Sequence, residues 1–317
     1  MAEASTRPAI IAALVGNLLI AVTKGVASAI TGSTAMLSEA IHSVVDTGNE
    51  VLLLYGQRRA AALPDDEHPL GHGRELYFWA FVVALLIFAV GACVSLYEGV
   101  LRIRNPEPIE RAWINYVVLG LALLFEGGSW WFAWKVFGRT RKGRSIWKTV
   151  EESKDPTSFM VLFEDSAALV GIAIALAGTF VAVQTGQWWV DGLSSVLIGI
   201  LLAGVAIILA RETKELLIGE RASPKLAAAI RDSIEREKCV EEVVHLMTSQ
   251  LAPDQVIATI GIRFVDGIDV REVEKLIERI ESRARADFPQ LFGVFVRPQG
   301  DERRRGKVAP DPLNRSD

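Results

Sequence analysis

Ser38-Glu39-Ala40-Ile41-His42-Ser43-Val44-Val45-Asp46-Thr47-Gly48-Asn49-Glu50 is a polar run set between two apolar stretches. Glu39, His42, Asp46 and Glu50 are spaced 3, 4 and 4 apart, the stripe period of an α-helix. The residues around them, among them Met36, Leu37, Ile41, Val44, Val45 and Val51 to Leu54, are apolar. The segment therefore reads as a helix with one polar side turned inward. Ionisable groups are costly in hydrocarbon, so in spanning helices they face a bundle interior and mark an ion path. Imidazole with carboxylate is a ligand set for a divalent transition metal. A second acidic patch, Phe163-Glu164-Asp165-Ser166, lies inside a later apolar stretch.

The rest of the chain falls into place around that helix. A bilayer-spanning helix needs about 20 mostly apolar residues. Six segments are expected to span: 9–31, 33–57, 77–103, 112–136, 157–184 and 188–211. The second is too polar for hydropathy alone and is kept for its one-sided stripe. The run 9–30 has no suitably placed small-residue cleavage site and reads as a retained helix rather than a signal peptide. Six spans put both termini on one side. Loop 137–156 carries Arg139, Arg141, Lys142, Arg144, Lys148 and Lys154, and loop 58–76 adds Arg58, Arg59 and Arg74. The short connections 31–34 and 185–190 hold no Lys or Arg. The positive-inside rule then places both termini in the cytoplasm or its topological equivalent. With no evident mitochondrial targeting segment, the short stretch before residue 9 fits a multi-pass protein of a bacterial inner membrane.

After Glu212 the pattern changes. Residues 223–237 open on Ser-Pro, a helix entry signal, and 240–249 and 255–264 read as strands, the latter alternating and β-branched. Residues 269–287 form an amphipathic helix, and 292–297 a last strand. The expected order is αββαβ, a small layer of helices on a sheet. Residues 1–212 are thus a six-helix transmembrane domain, 213–299 a cytoplasmic α/β domain, and 300–317 a charged, disordered tail. The net charge of −4 gives no reason to expect a nucleic acid partner. Cys93 and Cys239 fall in different parts and no CxxC exists, so neither a disulfide nor a thiolate zinc site is expected. There is no HExxH, and no enzymatic activity is expected.

Directly after the second segment stands Asp65-Asp66-Glu67-His68-Pro69-Leu70-Gly71-His72-Gly73-Arg74. With this loop, six spans, His42-x-x-x-Asp46 and a small C-terminal α/β domain, the chain resembles the cation diffusion facilitators, a family of zinc-transporting metal/proton antiporters, over residues 9 to 298. The resemblance implies a homodimer whose cytoplasmic domains pair in a ferredoxin-like, metallochaperone-like fold. It implies a transport site between spans two and five, with two His/Asp ligands from each, and a second metal site of lower specificity in the loop, at Asp65, His68 and His72. On span two His42 and Asp46 match. Their i,i+4 spacing points both the same way, so that one helix gives two bonds to one tetrahedral ion. Span five departs: the residues four beyond Glu164 and Asp165 are Ala168 and Leu169. The run Glu164-Asp165-Ser166-Ala167-Ala168 is similar to that of a subgroup of mitochondrial zinc transporter-9 type.

Counted from the cytoplasmic ends, Glu164 and Glu50 lie at similar depth, roughly 10–12 Å in, with Asp46 and then His42 deeper. The expected site is spread over His42, Asp46, Glu50, Glu164 and Asp165, with Zn2+ or another divalent cation as substrate and no resident cofactor. Glu164 and Asp165 have a structural alternative, as partners of Lys24 or Asn17. Glu126 is read as a buried partner of Lys24 rather than a ligand, with a proton carrier as the other reading. Asp65, His68 and His72 are either a metal site or a Pro-Gly turn. Asp191 is read as the cap of its own helix. The last strand ends at Val296-Arg297-Pro298-Gln299 without His or Asp, so the C-terminal domain is expected to have lost a regulatory metal site and mainly to dimerise. The expected activity is proton-coupled efflux of Zn2+. The rivals are Mn2+ or Fe2+ transport, since carboxylates outnumber histidines, and a non-transporting membrane scaffold.

Overall fold

The computed structural model describes residues 3–141, 145, 149 and 154–300. The chain divides into two compact units, Met1–Ile218 and Gly219–Asp317.

The first unit is helical: α1 Glu3–Thr31, α2 Thr34–Ala60, α3 Glu75–Arg104, α4 Trp113–Arg141, α5 Pro156–Thr185 and α6 Trp189–Ile218. Long apolar runs give these helices their length, and turn chemistry sets their ends. Ser33 starts α2, its hydroxyl accepting from the Met36 amide at 3.2 Å. Asp155 starts α5, accepting from the Thr157 amide at 3.1 Å, with Pro156 at the first helical position. A π-helical turn, Ile87–Ala92, interrupts α3. Four helices, α3 to α6, contain stretches long and apolar enough to cross a membrane. In α1 the apolar stretch among the described residues, Asn17–Thr31, is shorter, and in α2, an unbroken helix, the polar stripe interrupts the apolar run.

α6 runs on past residue 211, where the apolar pattern ends. Arg211 and Glu215 face each other at i,i+4, 3.7 Å apart, so the helix persists on polar residues. Met36, Ile87, Leu119, Phe159, Ile172 and Leu202 are among the buried side chains that fill the space between helices. α3 and α6 touch backbone to backbone: a methyl added at Gly99 would stand 2.7 Å from the Gly192 carbonyl oxygen.

Asp191 is a cap, but not of its own helix. Its Oδ2 accepts from the Thr34 amide at 2.6 Å and the Thr34 hydroxyl at 2.9 Å, and its Oδ1 accepts from the Ser33 hydroxyl at 2.6 Å. The first amides of α2 lack partners within their own helix, and a fully buried carboxylate must find donors, so the two satisfy each other.

The second unit runs α7 Pro224–Glu235, β1 Val240–Ala252, β2 Gln255–Phe264, α8 Val270–Asp287 and β3 Leu291–Pro298. The sheet order is β1-β2-β3, with β1 and β2 antiparallel and β2 and β3 parallel. Val243, Val256, Ala258, Ile260, Ile262 and Val294 form one core with Leu226, Ile230 and Ile234 of α7 and Leu276 and Ile280 of α8. β1 extends three residues beyond the expected 249, where buried Gln250 donates to the Ala252 carbonyl at 2.6 Å. His245 lies over Gly261, whose register partner on β3 is Arg297, and its Nδ1 is 3.2 Å from Gln299 Nε2. The tail expected to be disordered lies, beyond Gly300, outside the described residues, as does much of the basic loop 137–156.

Candidate metal site

The stripe on α2 faces α5. Asp46, Glu50, Glu164 and Asp165 line one cavity, together with Asn17 of α1, Ser43 of α2 and Glu126 of α4. Helical periodicity brings Ser43, Asp46 and Glu50 to one side of α2, and consecutive positions put Glu164 and Asp165 near one level of α5. Direct bonds fix the register between helices. Asn49 of α2 donates to Glu164 Oε1 at 3.0 Å, and Asn17 of α1 donates to Glu50 Oε1 at 2.7 Å. Ser129 of α4 donates to Asp165 Oδ2 at 2.9 Å. One residue further, the Trp130 indole N–H donates to the Ser166 hydroxyl at 2.9 Å, tying α4 to α5 again.

His42 stands next to this cavity rather than among its lining residues. Its Nδ1 is 3.3 Å from Asp46 Oδ1, outside hydrogen-bonding geometry, and the ring is 2% exposed. Among the described residues neither ring nitrogen has a hydrogen-bond partner, and Asp46 Oδ1 and Glu50 Oε2 are also buried without one. Most buried polar atoms in folded proteins are paired, and a buried charge pairs or coordinates a metal. Carboxylate oxygens and an imidazole whose hydrogen bonds are unmet form the donor set that a divalent cation takes.

The partners differ from two of the sequence readings. Lys24 does not pair with Glu126. Its ammonium donates to Glu39 Oε2 at 3.2 Å and to the Ser43 hydroxyl at 2.8 Å, and both Lys24 and Glu39 are fully buried. Glu126, read as the partner of Lys24, instead adds a carboxylate to the cavity from a third helix. Glu164 and Asp165 bond to Asn49 and Ser129, not to Lys24 or Asn17. The sequence signal that could have found Glu126 was its place in mid-helix beside Gly127-Gly128.

The loop between α2 and α3 brings its three candidates together. One ligand atom from each of Asp65, His68 and His72 lies within 4.8 Å of the others. Asp65 Oδ1 accepts from the His68 amide at 2.6 Å and lies 3.2 Å from His68 Nδ1, and Asp65 Oδ2 lies 3.0 Å from His72 Nε2. His68 is held by its own amide, and Gly71, at φ +78°, turns the chain so that the His72 ring also comes back to Asp65. The hydrogen bond with His72, followed by that of the His68 backbone, pulls the Asp65 carboxyl down to about 2.

The first unit matches the cation efflux transmembrane domain over residues 10–218. The chain belongs to the cation efflux family. The match to this family ends on the last residue of α6, so it covers all four long apolar helices and the cavity. Similarity to individual proteins covers up to 86% of the chain. The chain is 32% identical to the human protein named proton-coupled zinc antiporter SLC30A9, mitochondrial, over 86% of this chain and 49% of that protein. It is 29% identical to metal tolerance protein C4 of Arabidopsis thaliana, over 83% of this chain and 56% of that protein. It is 28% identical to the cation-efflux pump FieF of Shewanella oneidensis, over 53% of this chain and 52% of that protein. The chain spans about half the length of the curated relatives it matches.

Proposed function

We propose that this protein exports Zn2+ from the cytoplasm in exchange for protons. The observation that carries the proposal is the cavity that joins Asp46 and Glu50 to Glu164 and Asp165, with His42 and its unpartnered nitrogens alongside. Family membership and the printed name of the human relative support the same reading. Ionised carboxylates and neutral imidazole bind metal, and protonation of the same groups releases it, so metal and proton exchange in one site. The membrane arrangement belongs to the proposal: six spans, with α1 and α2 crossing beside the four apolar helices, and both termini cytoplasmic. α2 can cross because its charges meet α1 and α5 rather than lipid. The second unit serves as a ferredoxin-like, metallochaperone-like dimerisation domain, roughly residues 213–299, and the working protein is a homodimer.

Asp65, His68 and His72 form a loop site at which metal binds more weakly, because each carboxylate oxygen already has a partner. A second reading, Mn2+ or Fe2+ as cargo, is favoured by Glu126: with it the cavity has five carboxylates and no histidine in its lining. Purified protein in vesicles with a metal-sensitive dye and an imposed pH gradient decides between these. Gradient-dependent Zn2+ flux that disappears in Asp46→Ala supports the proposal. Flux of Mn2+ or Fe2+ in preference to Zn2+ supports the second reading. Equal flux in wild type and variant removes the site, and no flux of any of these ions makes the protein a non-transporting scaffold.

A further inference from the structure

We propose that Glu39 is a further ligand for the transported ion, beyond the acidic cavity, and that Lys24 is the built-in cation that occupies it until the metal arrives. The inference rests on the transport reading above and names a second station on the same path.

Glu39 and His42 are three residues apart on α2 and so share a face, about two helical turns further from the 58–76 loop than Asp46 and Glu50. Both are almost wholly buried, at 0% and 2% exposure. Glu39 uses one oxygen for Lys24 and leaves Oε1 without a partner, and His42 leaves both ring nitrogens so. A carboxylate kept only to neutralise a buried ammonium needs its remaining lone pairs satisfied, since an incompletely bonded buried ion pair costs more in desolvation than it returns. Glu39 does not meet that condition.

The free oxygen points at α5. A Cβ added at Gly171 would collide with Glu39 Oε1. Along this stretch α5 offers Ala167, Ala168 and Gly171 and no donor of its own. The bare surface of α5 is thus filled from across the interface, by a carboxylate that reaches over from α2. This is where span five lacks its second ligand, and Glu39 supplies the missing oxygen from the opposite helix.

Lys24 links the two stations. Its ammonium bonds Glu39 and Ser43 together, and Ser43 also lines the acidic cavity. A cation that moves from the cavity to Glu39 and His42 displaces the ammonium from Glu39 while leaving it Ser43 as an acceptor. The station is therefore never an uncompensated buried carboxylate, and metal must compete with a tethered charge that cannot leave.

The test uses full-length purified protein, with Zn2+ titrated against a competing dye, Co2+ used as a spectroscopic probe, and thermal stability followed in parallel. Lys24→Met removes the competitor and is expected to tighten Zn2+ binding about tenfold, on the scale of groups that tune a metal site. Lys24→Arg holds Glu39 in a two-pronged pair and is expected to weaken binding by a similar factor. Glu39→Gln is expected to weaken binding and change the Co2+ visible spectrum, which a purely electrostatic effect would leave alone. Unchanged affinity in Lys24→Arg and an unchanged spectrum in Glu39→Gln overturn the inference, whatever happens to stability. If Lys24→Met does not fold, Lys24→Arg and Glu39→Gln carry the test by themselves. Asp46→Ala is measured beside them. Binding lost there but unmoved by Lys24 and Glu39 variants removes only this second station, whereas binding unmoved in Asp46→Ala removes the transport site itself.

Discussion

The cavity between α2, α4 and α5 and the loop at residues 65–72 hold similar side chains and treat them in opposite ways. In the loop, Asp65 is bound by one backbone amide and two imidazoles, and its carboxylate is about half exposed, at 52%. In the cavity region, Asp46 and Glu50 each keep a buried oxygen without a partner, and His42 keeps two nitrogens so. Water can repair an unmet bond in the loop and cannot easily do so inside the bundle. The difference teaches where a cation is worth most: at donors that are assembled, buried and unmet, rather than at donors that already satisfy each other.

The largest effect expected from breaking this contrast comes from neutralising the α5 side of the cavity. Glu164→Gln with Asp165→Asn removes two of its carboxylates and is expected to cut pH-driven metal flux about 100-fold, measured in dye-loaded vesicles. Lowering the pH from 7.5 to 6.5 comes next. Zn2+ affinity should fall by up to about tenfold per pH unit for each proton that metal must displace, read by competition titration. Asp65 does not contribute to that fall. Its folded pKa lies near 2, below the ordinary carboxylate value of about 3.9, so its contacts are complete above the ordinary value and are lost only as pH drops toward 2. Asn49→Ala should have a smaller effect, about tenfold in affinity, because Asn49 orients Glu164 without belonging to the cavity lining. Asp65→Asn is expected to lower flux less than any of these. A larger loss there than in the Glu164 and Asp165 variant would reverse the ranking of the two regions. Asp191→Ala should cost about 0.5–2 kcal/mol of stability through the α2 cap, seen as a lower melting temperature with metal affinity kept.

The α2 stripe was legible because its spacing of 3, 4 and 4 is a local property of one helix. So was the acid pair on α5, since adjacent charges in an apolar run stand out by composition. Which charges meet was not legible. Glu126 and Glu39 are both acids that Lys24 could have reached, and the choice depends on how α1 is rotated against α2 and α4, which no local pattern encodes. The cap supplied by Asp191 to Thr34 joins residues 157 positions apart, and a sequence reading naturally assigns a cap to the nearest helix. The reach of Glu39 toward Gly171 has the same origin: a glycine in an apolar run carries no sign of the side chain that fills its place.

Gly99 and Gly192 leave no room for a single methyl between α3 and α6. Two rods in backbone contact cannot roll past one another without lifting apart, and similar closeness recurs where Gly178 of α5 meets Ser194 of α6 and Gly56 of α2 meets Trp79 of α3. The cavity carboxylates lie on α2, α4 and α5, with Lys24 on α1. On the transport reading proposed above, α3 and α6 are the seam against which α2 and α5 are seated, and a larger residue at Gly99 or Gly192 is the substitution that would pry it open.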